Sequence, residues 1–254
     1  MAVIALTSAS GSPGVTTTAV GLALLWPRPV ILVEADPTGG SGVLAGYFRG
    51  TREYEAGLIE LALSPVDVVD ALPDVVRPFE GSTASYVAGT RSHAQAAGLR
   101  DLWPRLAEAL RGLDELGQDV IVDAGRLGLV GSPDAVLASA DLTILLTRTN
   151  LPALAAARSR AESIRKNREW SNPAAVLVGE GQPYRAQEVS NALGLPVIAS
   201  VADDPAVAAA FSRGAWPGKS FHSGPFVRSL HAVISACQAE VARSRATLLT
   251  GATS

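Results

Sequence analysis

The run Ala2-Val3-Ile4-Ala5-Leu6-Thr7-Ser8-Ala9-Ser10-Gly11-Ser12-Pro13-Gly14-Val15-Thr16-Thr17-Thr18-Ala19-Val20 changes character twice. Its β-branched, apolar start reads as a strand over Ala2 to Leu6, and Thr16 to Leu25 carries apolar residues at helical spacing. Between them lies a loop of small residues with two glycines and a proline. A strand-to-helix loop of this kind, ending in threonines at a helix N-terminus, offers backbone N–H groups, a positive dipole end and hydroxyls to a phosphate and its Mg²⁺. The same residues also suit a bare turn in which the glycines permit the tight reversal and the threonines cap the helix. On the residues alone both readings stand.

The rest of the chain repeats the pattern. Strands are expected at Val30 to Glu34, Ser85 to Ala88, Asp119 to Asp123, Leu142 to Thr147, Ala174 to Val178 and Val197 to Val201. Helices are expected at Leu99 to Leu116, Leu151 to Asn167, Arg185 to Leu193, Pro205 to Arg213 and Phe226 to Arg245, with an irregular loop over Trp216 to Pro225. Strands as apolar as Val120-Ile121-Val122 and Ile144-Leu145-Leu146 suit the centre of a parallel sheet buried on both faces. The prediction is therefore an α/β protein with a single doubly wound, mostly parallel sheet flanked by helices. One domain should span residues 1–249, followed by a flexible tail at 250–254. With 254 residues, 48% of them apolar and 18% charged, and a mean hydropathy of +0.24, there is ample material for a core.

Ligands in such sheets sit at the carboxyl ends of the strands. There Glu34-Ala35-Asp36-Pro37 places two carboxylates two residues apart, and Val120 to Asp123 ends an apolar run in one Asp, suited to holding a metal-bound water. A single cysteine, Cys237, excludes a disulfide framework, and His93, His222 and His231 are scattered too widely for a metal cluster. The apolar start lacks the charged segment of a secretion signal, and no apolar run reaches membrane-spanning length, so a cytoplasmic location is expected. Net charge is -3, and arginine outnumbers lysine 19 to 2, the lysines being Lys166 and Lys219. The region preceding Lys166 thus offers no lysine to a phosphate.

In sequence the chain resembles the ParA/MinD family of deviant Walker A P-loop ATPases. Ser10-Gly11-Ser12-Pro13-Gly14-Val15-Thr16-Thr17 aligns with the family loop Lys-Gly-Gly-x-Gly-Lys-Thr-Thr, Glu34-Ala35-Asp36-Pro37 with Asp-x-Asp-Pro, and Val120 to Asp123 with the Walker B strand. Ala140-Asp141, Leu195-Pro196-Val197 and Asp204-Pro205-Ala206-Val207-Ala208 continue the likeness to about residue 245. The resemblance implies ATP and Mg²⁺ as cofactors. It places Gly11, Ser12, Gly14, Val15, Thr16 and Thr17 around the phosphates, Thr16, Glu34 and Asp123 near the metal, and Asp36 and Asp123 in hydrolysis. It also implies a homodimer and a protein partner, in a switch that localises or partitions a cellular cargo.

Three departures cut against activity. The lysine that would reach a partner's nucleotide is Ser10, the lysine that would grip the β- and γ-phosphates is Val15, and Pro13 removes one N–H donor. Hydrolysis is expected to be slow or absent, with Arg126, three residues after Asp123, as the candidate replacement cation. The alternative is a pseudo-ATPase scaffold that has lost ATP and works through dimerisation and partner binding. Arg158, Arg160, Arg165, Lys166 and Arg168 cluster on one helix, but Glu162 and Glu169 interrupt them, so a solvated face and weak or no DNA binding are expected. Phe226, Leu230, Val233, Ile234, Cys237 and Val241 form a stripe that fits the core.

Overall fold

The computed structural model describes residues 2–10, 12–113, 117–218 and 221–251. The chain begins with β1 (Val3–Ser8), α1 (Val15–Leu25) and β2 (Val30–Glu34). A π-helical turn (Gly42–Tyr47) and short helices α2 (Leu58–Leu63) and α3 (Val68–Val75) follow, then β3 (Arg77–Pro78), β4 (Ala84–Val87), α4 (His93–Ala96) and α5 (Leu102–Gly112). The second half runs β5 (Asp119–Arg126), α6 (Asp134–Ser139), β6 (Leu142–Arg148), α7 (Leu151–Asn167), β7 (Pro173–Val178), α8 (Ala186–Leu193), β8 (Val197–Val201), α9 (Pro205–Ser212) and α10 (Pro225–Gly251).

Among the described residues the strands form one sheet in the order β3-β4-β2-β5-β1-β6-β7-β8, parallel except for the edge pair β3 and β4. Successive residues of a strand point to opposite faces, and both faces here are covered. Val3, Ala5, Val120 and Val122 pack toward α2, α3, α5, α6, α7 and α8, whereas Ile4, Leu6 and Ile121 pack toward α1, α9 and α10. This is the doubly wound architecture that the apolar strands predict. Every strand expected from sequence is present.

The stripe on α10 from Phe226 to Val241 is buried against that second face. Burial pushes the Cys237 thiol up to about 12, which leaves it a small apolar group. The helix takes in Thr250 and Gly251, the first two residues of the expected tail, whose remaining residues lie outside the described ones. Arg158, Arg160, Arg165, Lys166 and Arg168 are all exposed, the solvated face expected of them. No helix among the described residues is long and apolar enough to cross a membrane.

The opposite, N-terminal edge of the sheet is tied by one buried carboxylate. Asp119, at the start of β5, accepts from the Ala2 N–H at 2.6 Å and the Trp26 indole N–H at 2.7 Å, and pairs with Arg28 at 2.7 Å. It joins β1, β5 and the end of α1 while the Arg28 head stays half in water. Removing the carboxylate strands two buried donors. We expect Asp119→Ala to lower unfolding free energy by about 3 kcal/mol, measured by urea denaturation; a loss below about 1 kcal/mol, the level of an ordinary surface pair, would contradict that role.

Candidate functional site at the carboxyl ends of the central strands

The loop leaving β1 turns by positive φ at Ser12 (45°) and Gly14 (94°) before entering α1. Glycine suits the second position because no Cβ meets the left-handed conformation. Gly14 serves as N-cap and has no side chain to satisfy the first turn; only the Thr18 N–H closes back on its carbonyl, at 2.8 Å. The N–H groups of Thr16 and Thr17 find no acceptor among the described residues. Both point out of a helix end that carries partial positive charge. Gly11 lies outside the described residues. Val15, where the family has a lysine, is buried in the core beneath the loop, and Pro13 is buried beside it.

Parallel pairing sets the carboxylates. Asp123 on β5 lies opposite Leu6 of β1 and Glu34 of β2, so both acidic side chains come to the end of the sheet beside the loop. Asp123 is buried and accepts from the Gly125 N–H at 3.0 Å, and the Thr16 hydroxyl stands near enough to favour its charged form. Burial, with Asp36 and Glu34 nearby, pushes its pKa up to about 7 despite those two groups. Thr16 and Asp123 therefore meet as hydroxyl and carboxylate.

Glu34 is committed elsewhere. One oxygen accepts from the Ser41 hydroxyl and, at 3.4 Å, from the Gly89 N–H; the other accepts from the Val43 N–H at 2.9 Å. It caps the π-helical turn, and burial raises its pKa. Asp36 is half-buried, with Oδ1 accepting from the Thr38 N–H and hydroxyl at 2.9 and 2.8 Å. Its carboxylate lies against Gly125, where a Cβ would come within 2.1 Å of Cγ, at a φ of +58°. Only glycine fits there.

Two neighbours were not singled out by sequence. The His93 Nδ1–H donates to the Pro37 carbonyl at 2.7 Å and so tethers the Asp36 loop. Arg148, the last residue of β6, lines the cleft beside Ser12, Pro13, Gly14 and Thr17. Arg126, the expected replacement cation, is exposed at the end of β5, in register with Ser8. Among the described residues no three His, Cys, Asp or Glu side chains converge as a metal site.

No known family model matches the sequence, and no curated protein does. Solved structures do match over nearly the whole chain. The septum site-determining protein MinD of Pyrococcus horikoshii, complexed with Mg-ADP, is 16% identical with a TM-score of 0.71, over 92% of this chain and 94% of that one. A ParA family ATPase of Chlorobium tepidum is 15% identical at 0.71, over 92% and 98%. A variant of Cyanothece McdA in complex with ATP is 18% identical at 0.69, over 94% and 96%. The chain has the P-loop fold of the MinD, McdA and ParA ATPases.

A carboxylate whose pKa is higher folded than unfolded holds its proton more tightly in the native state. Stability from Asp123 is thus greatest below its ordinary 3.8 and falls as pH rises toward about 7. We expect urea midpoints of the parent to decline across that window, and those of Asp123→Asn to decline markedly less. Parallel profiles would contradict the buried, proton-holding carboxylate.

Proposed function

We propose that this protein is a nucleotide-binding switch that localises or partitions a cellular cargo or assembly, with a degenerate loop that binds Mg-ATP weakly and hydrolyses it slowly or not at all. The observation that carries this reading is the uncapped first turn of α1 set beside the Thr16–Asp123 pair. The overall likeness to MinD, McdA and ParA supports the positioning role.

Ser12, Gly14, Thr16 and Thr17 would hold the phosphates through backbone N–H groups and hydroxyls, as would Gly11 by its place in the sequence. Thr16 and Asp123 suit Mg²⁺, which takes one or two protein oxygens and completes its shell with phosphates and water. The metal supplies charge neutralisation between phosphate oxygens. Glu34, with both oxygens engaged, supports the turn instead of the metal. Asp36 is the residue that would orient an attacking water, through Oδ2, which accepts from none of the described groups. Asp123 must give up its proton to hold Mg²⁺, so Mg-nucleotide binding should strengthen as pH rises through about 7.

The missing cations set the activity. A charge-assisted hydrogen bond is worth roughly 1.5 to 3 kcal/mol, one to two decades of affinity. A lost transition-state donor costs on the order of 10² to 10³ in rate. Binding survives such a loss more readily than hydrolysis does.

Restoring Val15→Lys should improve Mg-ATP affinity about ten- to a hundredfold by calorimetry, with its stem in the space Val15 fills and its ammonium at the loop. Turnover by the parent should stay below about 1 per second. If Val15→Lys folds with an unchanged melting curve yet binds no better, the loop no longer cradles phosphate. A nucleotide-free scaffold then becomes the better reading.

Ser10 lacks the reach and charge to contact a partner's phosphate, so the homodimer we propose should form independently of ATP. Light scattering with and without Mg-ATP tests this; a monomer that dimerises only with ATP would contradict it.

A further inference from the structure

The cation missing from the loop has a neighbour that can stand in for it. The sheet order puts β6 beside β1, on the side away from β5. Arg148 therefore emerges next to the loop that β1 feeds. It lines a cleft of about 180 Å³ together with Ser12, Pro13, Gly14 and Thr17. Its guanidinium is held by Asp203, in the segment between β8 and α9, with Nη1–Oδ2 at 2.7 Å and Nη2–Oδ1 at 3.4 Å.

This pair is poised for exchange. The two side chains are 36% and 24% exposed, so water and salt screen their attraction. A pair of that kind shifts an equilibrium by about fivefold at most. A guanidinium–phosphate contact has the same bidentate geometry with more negative charge and is worth about ten- to a hundredfold. The cleft's other charged groups compete poorly: Asp204 is committed to capping α9 through the Val207 N–H at 3.1 Å, and Arg213 is exposed at the end of that helix.

We infer that Arg148 is the phosphate-binding cation of this protein, held at rest by Asp203 and transferred to the polyphosphate of a nucleotide when one enters. The inference rests on the nucleotide-binding reading above and names the residue that makes such binding feasible without either lysine. Asp203 is then an internal competitor of the ligand. Its removal should strengthen binding.

Calorimetry with inorganic pyrophosphate and with Mg-ATP tests both residues, with melting curves as the folding control. Arg148→Ala should weaken both ligands about ten- to a hundredfold and Arg148→Lys should recover part of the loss. Asp203→Asn should tighten both by up to about fivefold, and Arg213→Ala should leave them within about threefold. If Arg148→Ala does not fold, Arg148→Gln takes its place. A parent that binds while the Arg148 variants bind equally well overturns the inference and leaves the nucleotide reading intact. Weaker binding by folded Asp203→Asn also overturns it. A parent that binds neither ligand overturns both.

Discussion

Parallel pairing of β1 with β5 on one side and β6 on the other is the constraint from which the rest of this molecule follows. Parallel strands need helical crossovers, and the helices bury both faces of the sheet. Val3, Ile4, Ala5 and Leu6 thus alternate between two cores, and chemistry is displaced to the strand ends. All parallel strands end on the same edge. Residues as distant in sequence as Ser12, Glu34, Asp123 and Arg148 are gathered there by topology alone.

That gathering has an electrostatic cost. Asp123 is taken out of water beside other carboxylates, and its raised pKa records the penalty. In a loop with lysine, nearby positive charge would offset the penalty. Here the first turn of α1, the Thr16 hydroxyl and the Gly125 N–H are what remains, and the nearest strand-end guanidinium in the cleft is engaged by Asp203. The site is acidic and short of cations until Arg148 is released. In the function we propose, such a site would favour holding or sensing a nucleotide over consuming it, because a bound state tolerates the loss of one contact better than a transition state does.

The strands were legible because buried parallel strands are nearly continuous apolar runs, and Val120-Ile121-Val122 admits little else. The passage from β1 into α1 and the strand that ends in Asp123 were legible because small residues and glycine separate two apolar patterns and because Asp123 closes an apolar run. Other elements were not. Val68–Val75 contains Pro73, which argues against a helix when only spacing is read, and Leu58–Leu63 is too short to show a period. The edge strand Arg77–Pro78 has two residues and no pattern. The resemblance puts Glu34 near the metal; its hydrogen bonds to the turn at Ser41 to Val43 depend on a fold that the motif does not show. Arg148 is not legible as a neighbour of the loop because only the pairing of β6 with β1 brings it there, whereas Arg126 lies close to Asp123 in sequence. The signal was a lone arginine closing the apolar strand β6, with paired aspartates, Asp203 and Asp204, following β8 two strands away in the sheet.

The central claim is that the loop between β1 and α1 still cradles phosphate without its lysines. Amide signals of Ser12 to Thr17 followed by nuclear magnetic resonance during a Mg-ATP titration test it most directly. Saturable shifts centred on Ser12, Gly14, Thr16 and Thr17, reproduced by Mg-ADP, are the expected result. Signals that stay in place at several millimolar Mg-ATP, where even a ligand bound by only about 4 kcal/mol would register, would contradict it.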